Sequence, residues 1–357
     1  MKILRGNLVQ CLILTFIVCR ASTVSAQLGG VGVYKFLWNP PDAHITALAG
    51  NGIAIRDDDA ALAMQNPSLL NENSNDKLSF NHRFFYSGLQ DGTFTYAFSP
   101  KSIPYHFHAG VQYANYGNFT QADEYGNITG SFKAADYALI VGASRNLYEN
   151  LSLGVNLKFI TSQLESYSST GLAADIGASY FIPNKNFTIA LVCRNIGTQL
   201  TDFNDKPERL PYELQAGISK RLAHLPFRFS IVYTNLQRWN VLYDDPEQVK
   251  ENDIFTNQNA QRSDASIFID NLFRHFVFNG EFLIGKKENL RLRIGYNHLL
   301  RKELSVNNYR SLAGFSGGLG FKISKFRFDY GMTIYHLTGK AHHLSLSTDI
   351  NSFRKGH

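Results

Sequence analysis

Any chemistry in this chain has to come from a few small constellations. Gly314-x-Ser316-x-Gly318 has the spacing of a nucleophile elbow, a motif that works only where a strand, a sharp turn and a following helix expose the serine. Here the flanking residues read as one continuous strand, in which glycines suit close backbone approach. Ser352-x-x-Lys355 has the spacing of a serine–lysine pair, but it lies in the last six residues with no transpeptidase domain around it. His106 with His108, and His342 with His343, are imidazole pairs. Neither has the helical H-E-x-x-H arrangement of a zinc site, so they read as polar strand or loop positions. Asp57, Asp58 and Asp59 stand just before a short helical stretch, Ala60 to Gln65, where carboxylates suit exposed N–H groups and the positive end of the helix dipole. A calcium or magnesium site is the sharper alternative, yet adjacent residues rarely converge on one ion. The expectation is therefore no catalytic residue, no metal ligand and no cofactor.

The elements that position these residues begin with an N-terminus that carries Lys2 and Arg5, an apolar run from Leu12 to Val18, and Val24-Ser25-Ala26. That is the pattern of a secretory signal peptide over residues 1–26, cleaved before Gln27. The apolar run is well short of the ~20 residues that span a bilayer as a helix. A lipoprotein anchored at Cys19 is disfavoured, because Val18 stands where a small residue is needed. Cys11 and Cys19 leave with the leader, so Cys193 remains alone, and one cysteine builds neither a disulfide framework nor a thiolate metal site. The net charge of +6 also falls: losing Lys2, Arg5 and Arg20 takes 35 basic residues to 32 against 29 acidic ones, leaving +3. Nucleic-acid binding loses its electrostatic support. Aromatics are abundant, with 27 Phe and 18 Tyr, but no later stretch is apolar for long enough to cross a membrane as a helix.

Beyond residue 76, apolar and polar side chains alternate in short segments, the period of strands with two unlike faces. Leu151, Leu153, Val155, Leu157 and Phe159 oppose Ser152, Gly154, Asn156 and Lys158; Leu290, Leu292, Ile294 and Tyr296 oppose Arg291, Arg293, Gly295 and Asn297. Fourteen such segments are expected, at 77–84, 92–99, 105–113, 134–145, 151–161, 171–180, 187–194, 211–220, 227–235, 274–285, 289–298, 314–322, 325–335 and 342–350. Odd-numbered connections (114–133, 195–210, 236–273, 299–313) are mostly long and even-numbered ones short. That parity is expected of an outer-membrane barrel, with tight turns and both termini in the periplasm and long loops outside. Lipid offers no hydrogen-bond partner, so the sheet must close; a soluble sandwich or barrel is the competing architecture. The expected fold is all-β: a 14-stranded antiparallel transmembrane barrel over 77–350, with a C-terminal tail at 351–357. Charges of both signs fall on the face turned from lipid: Asp136, Lys158, Asp175, Glu213, Glu281, Arg291, Arg293, Arg327 and Asp329. They imply a lumen crossed by ion pairs and hydrogen bonds, or else one merely filled with water as in porins.

Residues 27–76 do not alternate. They are rich in small residues, pass through Pro40-Pro41 and stop their helical stretch at Pro67, which makes an N-terminal luminal plug, with Asn66-Pro67 as its candidate element. The ordered series Ala47-Leu48-Ala49-Gly50-Asn51-Gly52-Ile53-Ala54-Ile55, Gln65-Asn66-Pro67-Ser68-Leu69-Leu70-Asn71, Asp123-Glu124-Tyr125-Gly126-Asn127, Gly171-Leu172-Ala173-Ala174-Asp175 and Arg194-Asn195-Ile196-Gly197 resembles the PorQ family of type IX secretion outer-membrane proteins, and more loosely the related PorV barrels. It extends over nearly the whole mature chain except the insert at 236–273, where no motif can be placed.

The resemblance implies a FadL-like barrel, in agreement with the strand count. It also implies a place in the attachment complex, where cargo is processed and joined to lipopolysaccharide. A PorU-like sortase and a PorV-like barrel belong to that complex, and this barrel would anchor a PorZ-like surface protein. From the residues, docking falls to the loops 114–133 and 236–273, with Tyr116, Phe119, Tyr125, Trp239 and Tyr243 as candidate anchors, since large rings bury much area per side chain. Membership of an aromatic girdle is their plainer role. Two other functions compete: FadL-like transport of small hydrophobic molecules, which needs an apolar lumen and a lateral opening, and a surface hydrolase built on Ser316, which needs a base that the sequence does not suggest.

Overall fold

The structure, a computed structural model, describes residues 32–204, 206–242, 264–304, 311–335 and 339–354. The expected leader falls outside them. Fourteen antiparallel strands close into a barrel in sequence order. They are β1 (Lys77–Phe84), β2 (Gln90–Phe98), β3 (His106–Ala122), β4 (Ile128–Tyr148), β5 (Leu151–Leu164), β6 (Tyr167–Ile182) and β7 (Phe187–Thr201). The ring continues through β8 (Glu213–Arg221), β9 (Phe227–Tyr233), β10 (Phe276–Ile284), β11 (Leu290–Asn297), β12 (Phe315–Ile323), β13 (Phe326–Ile334) and β14 (Lys340–Asp349). The seam is β1 against β14, paired from Lys77↔Asp349 to Phe84↔His342. No edge is left open, as backbone groups in lipid require.

The alternation sorts the side chains as expected. Leu153, Val155, Leu157 and Phe159 of β5 face outward and are exposed, whereas Ser152, Asn156 and Lys158 of the same strand are buried inside. An exposed apolar surface running round a closed barrel is a lipid-facing belt. Rings cluster at both of its ends: Phe98 with Phe107, Phe227 with Phe282 and Phe321 with Phe328 near the short turns, Tyr233 with Phe276 and Tyr296 with Phe315 near the other rim. Among the described residues no helix is long and apolar enough to cross a membrane; the crossing is made by strands.

Two expected loops are corrected. The segment 114–133 is mostly sheet, because β3 and β4 continue to Ala122 and from Ile128, and β7 runs on to Thr201. Their outer halves lack strict apolar alternation, which is why the sequence pattern ends early; cross-strand pairs such as stacked Phe119 and Phe132 hold them together instead. Within the 234–275 connection lies an unforeseen helix, Asp264–Arg274, and another, His298–Glu303, follows β11.

Candidate functional site

The lumen is where the sequence motifs meet. Residues 32–76 form short turns of helix rather than strand, most of them started by a side chain that accepts a backbone N–H. Asp42 caps helix α1 (Ala43–Ala47), Asp59 caps the 3-10 turn Ala60–Met64, and Asn66 caps Pro67–Leu69. The third of these has proline at its first position, where its missing N–H costs nothing. Buried almost completely, this segment bonds to opposite sides of the ring: Gln112 of β3 to Phe36 O, Ser179 of β6 to Ser68 O, Asn279 of β10 to Asn51 O and Thr333 of β13 to Thr46 O. It fills the barrel. At Gly177 a Cβ would strike the Asn66 side chain, and at Gly295 the backbone of Leu48 and Ala49, so bare glycines on the inner wall let the plug's backbone pass close.

Each expected luminal charge turns inward, and most are paired. Lys158 Nζ lies 2.8 Å from Asp175 Oδ2 and donates to Asn195 Oδ1 at 2.7 Å. The N–H of Asn195, a residue with φ of 57° at an irregularity between β6 and β7, donates to Asp175 Oδ1 at 2.8 Å. Asn156 reaches from this knot to Ala63 O of the plug at 2.9 Å. A second knot joins Arg228 and Arg293 to Glu281 at 2.6 and 3.0 Å, and Arg291 to Asp57 at 2.6 Å. Asp58 meets Arg327 at 2.6 Å. Of the three adjacent aspartates only Asp59 caps a turn, so the expectation for Asp57 and Asp58 is corrected: arginines projecting from β9, β11 and β13 outbid the helix terminus. At the short-turn end a cavity of about 120 Å³ opens among Asp58, Asp59, Lys77, Lys322 and Arg327. Charged side chains of both signs stand in its wall.

The other constellations resolve into structure. Ser316 is buried in β12 with its hydroxyl 2.9 Å from that of Thr333, and Gly318 makes room for Ala47 of the plug. Ser352 donates to Asp349 O at 2.6 Å; Lys355 lies outside the described residues. His106 bonds Ser99 at 2.7 Å and His108 bonds Asn156 at 2.7 Å. His342 turns outward to Tyr330 while His343 turns inward to Thr46.

The docking candidates separate. Tyr116 is corrected as an exposed anchor: it is partly buried against the core, and its hydroxyl donates to Asp136 at 2.6 Å. Phe119, Tyr125 and Trp239 are exposed, Tyr125 at 81%, on the projecting β3–β4 hairpin and the 234–275 connection. Tyr243 lies outside the described residues. Asn66 and Pro67 sit at the heart of the plug.

No family model and no curated protein matches the chain. Solved structures do. The Pseudomonas putida toluene transporter TodX is 10% identical with a TM-score of 0.51, over 90% of this chain and 98% of that one. The CymD monoaromatic hydrocarbon channel is 13% identical with a TM-score of 0.51, over 88% and 97%. A Pseudomonas aeruginosa FadL homologue is 9% identical with a TM-score of 0.50, over 90% and 100%. The chain has the FadL-type barrel fold. At such identities the likeness speaks for architecture and not for cargo.

Proposed function

We propose that the protein is an outer-membrane component of a type IX secretion system, of the PorQ kind, in a Gram-negative bacterium. In this reading it holds a PorZ-like surface protein at the membrane, beside a PorU-like sortase and a PorV-like barrel, while cargo is joined to lipopolysaccharide. The role is non-covalent docking, with no catalytic step. One observation carries it: the plug and the charged inner wall occupy the lumen, which leaves the outward projections as the working surface. Those projections present Phe119, Tyr125 and Trp239 to the outside, and the ordered series of PorQ-like motifs supplies the partner class.

The second reading, transport of small hydrophobic molecules, is favoured by what TodX and CymD are named for. It needs a continuous apolar route, and Lys158, Arg293 and their partners stand across one. Deleting the gene tests both. The docking reading expects the PorZ-like protein to appear in the medium and uptake of a hydrophobic compound such as toluene to be unchanged. Retained attachment with lost uptake reverses the two. Removing residues 117–131 alone, the tip of the β3–β4 hairpin, is expected to release the partner from a barrel that still assembles.

A further inference from the structure

In the ion network around Glu281, Asp42 and Asp59 are the two carboxylates that, among the described residues, meet no arginine or lysine. Every other acid in it does: Asp57 and Glu281 share Arg228, Asp58 has Arg327 and Asp329 has Arg293. Each of the two caps a turn through one oxygen. Asp42 Oδ1 accepts the Ile45 N–H at 2.6 Å, and Asp59 Oδ1 accepts that of Ala61 at 3.0 Å. A second oxygen of Asp42, wholly buried, has no hydrogen-bond partner. One oxygen from each acid and a ring nitrogen of His44 lie within 4.8 Å of one another.

The geometry points to a site for one first-row divalent cation, zinc foremost, bound by Asp42, His44 and Asp59. His44 Nδ1 stands 3.5 Å from Asp59 Oδ2, close to the roughly 3.4 Å that tetrahedral ligands at about 2.1 Å from zinc keep between themselves. The other ring nitrogen, Nε2, is 2.9 Å from Glu281 Oε1. This is an ion-pair distance outside hydrogen-bond geometry, so Glu281 stands as a charge beyond the imidazole, where the outer shell of a metal-bound histidine lies. That carboxylate is itself anchored by Arg228 and Arg293. Once both are ionised, two buried carboxylates that meet no arginine or lysine are what a doubly charged ion would balance. Asp59 also lines the cavity at the short-turn end, which gives an ion an entry path. The ion would tie α1 to the turn beginning at Ala60, two parts of the plug that are distant in sequence. The site stands independently of the secretion reading.

A proton shared by the two acids, with His44 charged, would balance the same charges, and experiment separates the two. The full-length protein in detergent is stripped with a chelator, titrated with Zn²⁺ alone, desalted and assayed for metal and thermal unfolding. The site predicts one zinc retained per chain and a raised unfolding temperature. Asp42→Asn keeps the cap and the shape, and is expected to cut retention at least tenfold and abolish the thermal response. His342→Gln, on the outer face, is expected to change neither. Equal retention by wild type and Asp42→Asn, or no retention by either, overturns the proposal. So does a stripped Asp42→Asn protein that unfolds at or above wild type with zinc, since the amide then replaces a protonated acid at no loss.

Discussion

Lys158 shows what a charge means inside this barrel. It is completely enclosed, and it holds Asp175 and Asn195 across an irregularity in the sheet. Taking one partner from a buried ion pair leaves the other uncompensated, at a cost of about 3–5 kcal/mol. Lys158→Met is accordingly expected to lower the denaturant midpoint of the folded, heat-modifiable form far more than Leu157→Ala one position away, whose side chain faces lipid. Asp57 carries the acid sensitivity of the plug. Burial by itself would raise its carboxyl, but Arg291 and Arg228 hold it well below the usual range. A depressed carboxylate stabilises fully above its unfolded value, about pH 3.9, and loses that contribution as pH falls through the lower folded value. The protection factors of residues 42–66, measured against the intrinsic exchange rate at each pH, should therefore be high at pH 7 and hold down to about pH 4, then fall on stronger acidification. Protection that persists unaltered at pH 2 would remove Asp57 from that account.

The elements divide by how local their causes are. Strand β1 was readable to the residue, and β12, β13 and β14 nearly so, because lipid on one side and a filled lumen on the other impose a strict two-residue period. Where the strands leave the membrane that demand ceases, and the outer halves of β3, β4 and β7 carry no pattern to read. The helix Asp264–Arg274 follows a stretch with no recognisable motif, so neither its start nor its place was evident. The plug was legible as a non-alternating segment with Asn66-Pro67 at a turn. Its pairing of Asp57 with Arg291, 234 residues away, and the meeting of Asp42, His44 and Asp59 were not, since only closure of the ring brings them together. Sealing by this element can be measured directly: deleting residues 32–74 should give a barrel that conducts ions steadily in planar bilayers, where the intact protein is silent. Equal conductance from both would mean that the lumen is open around the plug.

At the scale of the molecule, an apolar belt outside and an ionic interior are exchanged by a single step in register. Leu157→Arg sets a cation in the belt between Val155 and Phe159, where such a charge costs about 2–4 kcal/mol near mid-membrane. The expected outcome is poor recovery of the heat-modifiable species from the outer-membrane fraction, whereas Thr161→Arg, nearer the outer rim, is milder. The plug also constrains the chronology of assembly. It touches the wall on every side and precedes β1 in the chain, while the ring is completed only when β14, the final strand, meets β1 along eight residue pairs. A segment wedged that closely cannot be threaded through a finished cylinder without stripping its bonds. Zipping the last strand onto the first around a core already in position avoids that barrier, which makes the plug a mandrel for the barrel as well as its stopper.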